Sequence, residues 1–102
     1  MERIAVFFKL REGKGDEYER LHSNIPSGVS EALTQAGITN YTIWRHDDML
    51  FGYYELENKK NADEILSRNT AFQEWRALMR NYVWETAEGQ NEWFMKNVFY
   101  HK

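Results

Sequence analysis

Between Ile38 and Glu57 the chain carries two runs of strand-forming residues, ITNYTIWRH and MLFGYYELE, with only Asp47 and Asp48 between them. A two-residue connection of that chemistry closes a β-hairpin and makes the two runs antiparallel neighbours. The hairpin divides the rest of the chain. Upstream, Arg3 to Leu10 (RIAVFFKL) is a short apolar run rich in β-formers, closed by the polar segment REGKG. Asp16 then offers a cap or first-turn acid, and Tyr18, Leu21, Ile25, Val29, Leu33 and Ala36 follow helical spacing up to a stop at Gly37. Pro26 lies inside this pattern. A proline removes one helical hydrogen bond and clashes one turn back, so the helix is expected to kink or split between Asn24 and Gly28. Downstream, NKKNADE leads into a helical pattern through Ile65 and Leu66, then a longer one through Phe72, Trp75, Leu78, Met79, Tyr82 and Val83. Trp93 to His101 (WFMKNVFYH) reads as a last strand. The order β-α-β-β-α-β predicts the α+β class: a ferredoxin-like sandwich with both helical segments on one face of a four-stranded antiparallel sheet. Residues 1–102 are expected to form one domain.

The strands do not alternate apolar with polar. In MLFGYYELE the set Met49, Phe51, Tyr53 is apolar and so is the set Leu50, Tyr54, Leu56, while the first strand sets Ile4, Val6 and Phe8 against Ala5 and Phe7. A sheet with helices on one face and water on the other should alternate. The second face is therefore expected to be covered by another copy of the chain, as a homodimer packed sheet against sheet. A chain of 102 residues buries a modest fraction of its surface alone, so pairing also answers its size.

Composition narrows the partners. Lys and Arg number 13 against 16 acidic residues and are scattered, which argues against nucleic acid. No apolar run approaches the roughly 18 residues that would span a bilayer, and MERIAVFFKLREGKG lacks the length and cleavage site of a signal peptide. With no cysteine there is no disulfide framework, and the cytoplasm is the expected compartment. Aromatic residues make up 16% of the chain although its mean hydropathy is −0.77, so apolar surface is concentrated in large rings that suit a core, an interface or the wall of a pocket.

Tyr18 and His22 lie one turn apart on one helix face. An imidazole with an unperturbed pKa of about 6.5 can give or take a proton near neutrality. A helix tyrosine or histidine on its own is more often packing or surface. Trp75 sits on the apolar side of the second helical segment, where packing in the core is the plain reading; the same holds for Trp44, Trp84 and Trp93, and Trp84 is read as core. His46 and His101 are expected to face solvent at strand ends. No His and carboxylate set has metal-ligand spacing, and no phosphate-cradling glycine loop or nucleophile elbow is present.

The chain resembles the L-rhamnose mutarotases over nearly its full length. DEYERLH at Asp16 to His22 carries the resemblance, with GITNYTIW at Gly37 to Trp44, MLFGYYE at Met49 to Glu55, FQEWRALM at Phe72 to Met79 and VFY at Val98 to Tyr100. The resemblance implies a cofactor-independent isomerase, built as a dimeric α+β barrel, that interconverts the α and β anomers of a 6-deoxy hexose. It implies that His22 is the acid/base residue, Tyr18 a substrate contact and Trp75 part of the sugar platform. The chain departs from the family pattern twice. Ile25-Pro26-Ser27-Gly28 stands where isoleucine, tryptophan, proline and glutamate are usual, and Trp75-Arg76 stands for two adjacent tryptophans. L-rhamnose leads the substrates that the resemblance implies, with another aldose such as L-fucose, or a more polar sugar to which Arg76 supplies hydrogen bonds, open. Alternatives on the same architecture are a cofactor-free monooxygenase, a lactone isomerase and a non-catalytic sugar-binding module.

Overall fold

The computed structural model describes residues 1–102. Its strands are β1 (Glu2–Lys9), β2 (Thr39–His46), β3 (Met49–Leu56) and β4 (Trp93–Met95), and its helices are α1 (Gly15–His22), α2 (Ser27–Gln35), α3 (Lys59–Arg68) and α4 (Thr70–Met79). All pairings are antiparallel, in the order β2-β3-β1-β4. This is the expected α+β, ferredoxin-like plan, with each helical segment divided in two.

Both divisions follow from single residues. Pro26, at φ −56° and ψ 141°, stands just outside α2, where its missing N–H is no loss, and its carbonyl accepts from Val29 at 3.0 Å. Asn69 separates α3 from α4 and its side chain accepts the Phe72 N–H at 2.9 Å, while Asn58 caps α3 through the Asn61 N–H at 2.9 Å. The hairpin turn takes Asp47 at φ 51°, a left-handed conformation that aspartate tolerates, and leaves His46 opposite Met49.

Ile4, Val6 and Phe8 of β1 and Leu50, Tyr54 and Leu56 of β3 face the helices. The interior they form is in two pieces. Ala32, Ala36, Leu56, Ala62 and Leu66 make one cluster, and Leu10, Tyr18, Leu50 and Val83 the other. The opposite face carries an aromatic row, one ring per strand in direct register: Trp44, Phe51, Phe7 and Trp93. Phe7 lies 5.4 Å from Phe51 and 6.2 Å from Trp93 between ring centroids. Trp44 is 67% exposed, and Met49, Phe51 and Met95 are also open to solvent.

Three expectations are corrected. The last strand is Trp93–Met95 and does not run to His101. Lys96 and Asn97 interrupt its apolar run, β4 pairs with β1 only over Ala5 to Phe7, and Tyr100 instead lies under the Arg3 guanidinium at 3.9 Å. Tyr82 and Val83 are not helical. Helix α4 ends at Met79 because the following segment is drawn onto the end of β1: Arg11 donates to the Tyr82 carbonyl at 2.7 Å and Trp84 to that of Lys9 at 2.8 Å. That pairing turns Trp84 out of the core, 41% exposed and stacked on Trp93.

Candidate active site

A cleft of about 720 Å³ opens between the helices and the sheet. It lies between the two core clusters, with Leu66 of one and Tyr18 and Val83 of the other in its wall. Its volume is that of a small-molecule site. Tyr18, His22, Trp75 and Arg76, the four residues singled out from the sequence, all line it.

Helix α1 delivers Tyr18 and His22. Asp16 and Glu19 on its outer side pair with Arg45 at the hairpin end, which ties the helix to the sheet. Tyr18 is 4% exposed and belongs to the core cluster as well as to the cleft wall, so the packing reading and the site reading both hold for it. The His22 ring lies 4.1 Å from that of Tyr18 and 5.2 Å, edge to face, from that of Trp75 on α4. Its Nδ1 is 2.9 Å from the Tyr18 carbonyl oxygen. A carbonyl only accepts, so Nδ1 carries the hydrogen of the neutral ring and Nε2 keeps its lone pair, with no protein partner. Burial holds the imidazole pKa below its ordinary value, partly offset by the bond to the Tyr18 carbonyl. The result is a neutral base at neutral pH, fixed in tautomer and orientation.

Sequence reading missed two tyrosines. Asn40 and Tyr41 together oppose Tyr54, because Thr39 pairs with Glu55 while Thr42 pairs with Tyr53. This bulge, with Asn40 at φ 51° and its side chain donating to Glu55 at 2.7 Å, swings Tyr41 to the helix side of β2. There it meets Tyr54 at 5.1 Å between ring centroids. Beside it Gly52 admits the close approach of Val6: a Cβ at that position would stand 2.9 Å from Val6 Cγ1, while Tyr41 Cε1 would be at an ordinary contact distance of 3.8 Å. The only sequence signal was Asn40, a poor strand former inside a strand pattern.

All three cleft tyrosines hold their protons. Burial raises the Tyr18 and Tyr54 hydroxyls well above the usual phenol value, and Tyr41 is pushed up to about 12 by burial, with Glu92 adding to the shift and Arg76 opposing it. Tyr41 is nonetheless 40% exposed; its open surface faces the cleft. The site thus combines one unprotonated imidazole nitrogen, three hydroxyl donors and an indole. No three His, Asp or Glu side chains converge as metal ligands. His46 is solvent-exposed at the end of β2 and His101 is exposed in the chain's last residues, both away from the cleft. No helix is long and apolar enough to cross a membrane.

The family model described as L-rhamnose mutarotase matches residues 3–101. The L-rhamnose mutarotase of Lachnoclostridium phytofermentans is 31% identical over 104 aligned positions, covering 98% of each chain. That of Clostridium beijerinckii is 36% identical, covering 78% of this chain and 77% of the relative. Among solved structures, the L-rhamnose mutarotase FA22100 of Formosa agariphila superposes over the whole of both chains with a TM-score of 0.83 at 20% identity, a likeness of fold.

Proposed function

The chain belongs to the L-rhamnose mutarotase family, and from that premise we propose that it interconverts the α and β anomers of L-rhamnose in the cleft beneath α1 and α4. The observation that carries this reading is the neutral His22, whose Nδ1 is committed to the Tyr18 carbonyl while Nε2 is free beside an open cavity. His22 takes the proton of the anomeric hydroxyl. The C1–O5 bond breaks as O5 takes up the proton from the imidazolium so formed, and the open aldehyde turns about C1–C2 before both transfers reverse and close the ring on the other face. Hemiacetal and open aldehyde have the same oxidation level, so the reaction itself consumes no redox partner. Tyr18, Trp75 and Arg76 bind the sugar: the hydroxyl donates, the indole covers the apolar C–H face and the guanidinium meets ring hydroxyls. Tyr41 and Tyr54 add two donors to that wall.

The experiment is saturation-transfer NMR of L-rhamnose, read as exchange between anomers. The expected result is catalysed exchange, with His22→Ala losing roughly 10²–10⁴-fold of it, the usual contribution of a positioned proton-transfer group. Unchanged exchange in that variant removes the imidazole from the mechanism. The monooxygenase, lactone isomerase and binding-module readings rest on architecture alone and are not favoured by the relatives. The same reading takes residues 1–102 as one cytoplasmic domain that works as a homodimer. The aromatic row across the four strands supports the pairing, since a two-fold axis lays such a row on itself and removes its rings from water.

A further inference from the structure

Five ionised side chains other than the histidine line the cleft: Lys59, Asp63, Arg76, Arg80 and Glu92. Three of them are satisfied within the chain. Lys59 pairs with Asp63 at 2.7 Å, and Arg80 with Glu85 at 3.4 Å. The Arg76 guanidinium and the Glu92 carboxylate have no ion pair and no hydrogen bond, either with each other or with any other group.

These two charges work on one region of the wall. Glu92 and Arg76 act in opposite senses on the same two hydroxyls, those of Tyr41 and Tyr54. Both side chains line the same cleft as Tyr41 and Tyr54 and do not pair with each other, so a group seated in the cleft can meet both. A cationic ligand would be repelled by Arg76 and an anionic one by Glu92. A neutral polyol satisfies both, because each hydroxyl donates to a carboxylate and accepts from a guanidinium.

Glu92 is also held in place. The preceding loop is closed by Thr86 donating from its N–H to the Gln90 carbonyl at 2.9 Å and by the Thr86 hydroxyl accepting the Gln90 N–H at 3.0 Å, around Gly89 at φ +87°. The Gln90 side chain donates to the Glu92 carbonyl at 3.3 Å, and the next residue, Trp93, is paired to Phe7 in the sheet. A residue whose backbone is held on both sides has only its side-chain torsions left to order when its carboxylate meets a ligand.

We propose that Glu92 is a specificity-determining residue of this cleft, accepting hydrogen bonds from a vicinal pair of hydroxyls on a neutral aldose while Arg76 donates to the same pair. The inference deepens the mutarotase reading and rests on it for the site, since it names what holds the sugar away from the proton-transfer end. It makes neutral sugars the substrate class, against uronates and amino sugars.

The test compares wild type with Glu92→Gln, by calorimetric titration with L-rhamnose and by NMR anomer exchange with L-rhamnose and its 2-, 3- and 4-deoxy analogues. The variant should melt with the wild type, because the side chain it alters makes no hydrogen bond or ion pair within the chain. Its affinity for L-rhamnose should fall about tenfold, the range for losing a hydrogen bond to a charged group, with KM following and kcat within about twofold. In the wild type, two adjacent deoxy positions should each raise KM by a similar factor, and in Glu92→Gln that penalty should shrink. Equal affinity in both proteins, or a loss confined to kcat, overturns the proposal. If the wild type binds L-rhamnose with this difference but does not exchange its anomers, the mutarotase reading fails and the diol contact stands.

Discussion

At the scale of single residues, the cleft turns on one nitrogen whose protonation is set by burial. Because desolvation lowers the His22 pKa below 6.5, the ring is in its basic form at neutral pH and remains so on mild acidification. The predicted profile of kcat/KM falls on the acid side with its midpoint below 6.5, approaching tenfold per unit once the imidazole binds its proton. Rates measured across pH 4 to 8 check it, and a fall centred above 6.5 would contradict the buried-base assignment. The sign for stability is the same: below 6.5 the unfolded chain takes up a proton that the folded chain resists, so stability is lost as pH drops towards the folded value. Helical spacing put Tyr18 and His22 on one face of α1, while Trp75, read from its spacing as core, entered the site only through the family resemblance. Glu92 was not legible, because a loop residue has no period from which its direction can be inferred.

At the scale of elements, β2 illustrates what a strand pattern conceals. The run Ile38 to His46 reads as a strand and is one from Thr39, yet a regular pairing onward from Thr39 would leave Tyr41 on the outer face, opposite Tyr53. One extra residue at Asn40 reverses it, and nothing in a two-residue period registers an insertion. Gly52 is the counterpart on β3. Gly52→Ala would drive a methyl group against Val6, and the predicted cost is about 1–3 kcal/mol of stability, the range for overpacking a filled core. Chemical denaturation reads that cost. The paired helices were half legible: Pro26 announced its break, and Asn69 closed α3 and capped α4 where the apolar pattern alone showed only a change of phase.

At the scale of the whole molecule, the failed alternation in β1 and β3 was the most informative reading of all, because the second apolar set it picked out lies on the face that carries the row from Trp44 to Trp93. Phe51 stands second in that row, 37% exposed and away from the cleft, so a charge there tests assembly without touching the sugar wall. Phe51→Glu is predicted to convert the homodimer to monomer in sedimentation velocity, with exposed tryptophans giving red-shifted fluorescence; a wild type that sediments as a monomer would refute the pairing. The length of β4 was overread for a related reason, since the apolar run from Val98 to Tyr100 has strand character yet stands exposed, with Tyr100 meeting Arg3 outside the sheet pairing.

The divided interior has its own consequence. A protein whose two apolar clusters meet across a void is held together there by the sheet and the helix ends, and a sugar seated in the void becomes the missing middle of the core. Occupancy should then be felt as mechanical coupling: breathing that lets the two halves move separately in the empty molecule would be damped when the seat is filled, and backbone amides of α4 would exchange with deuterium more slowly as rhamnose is added.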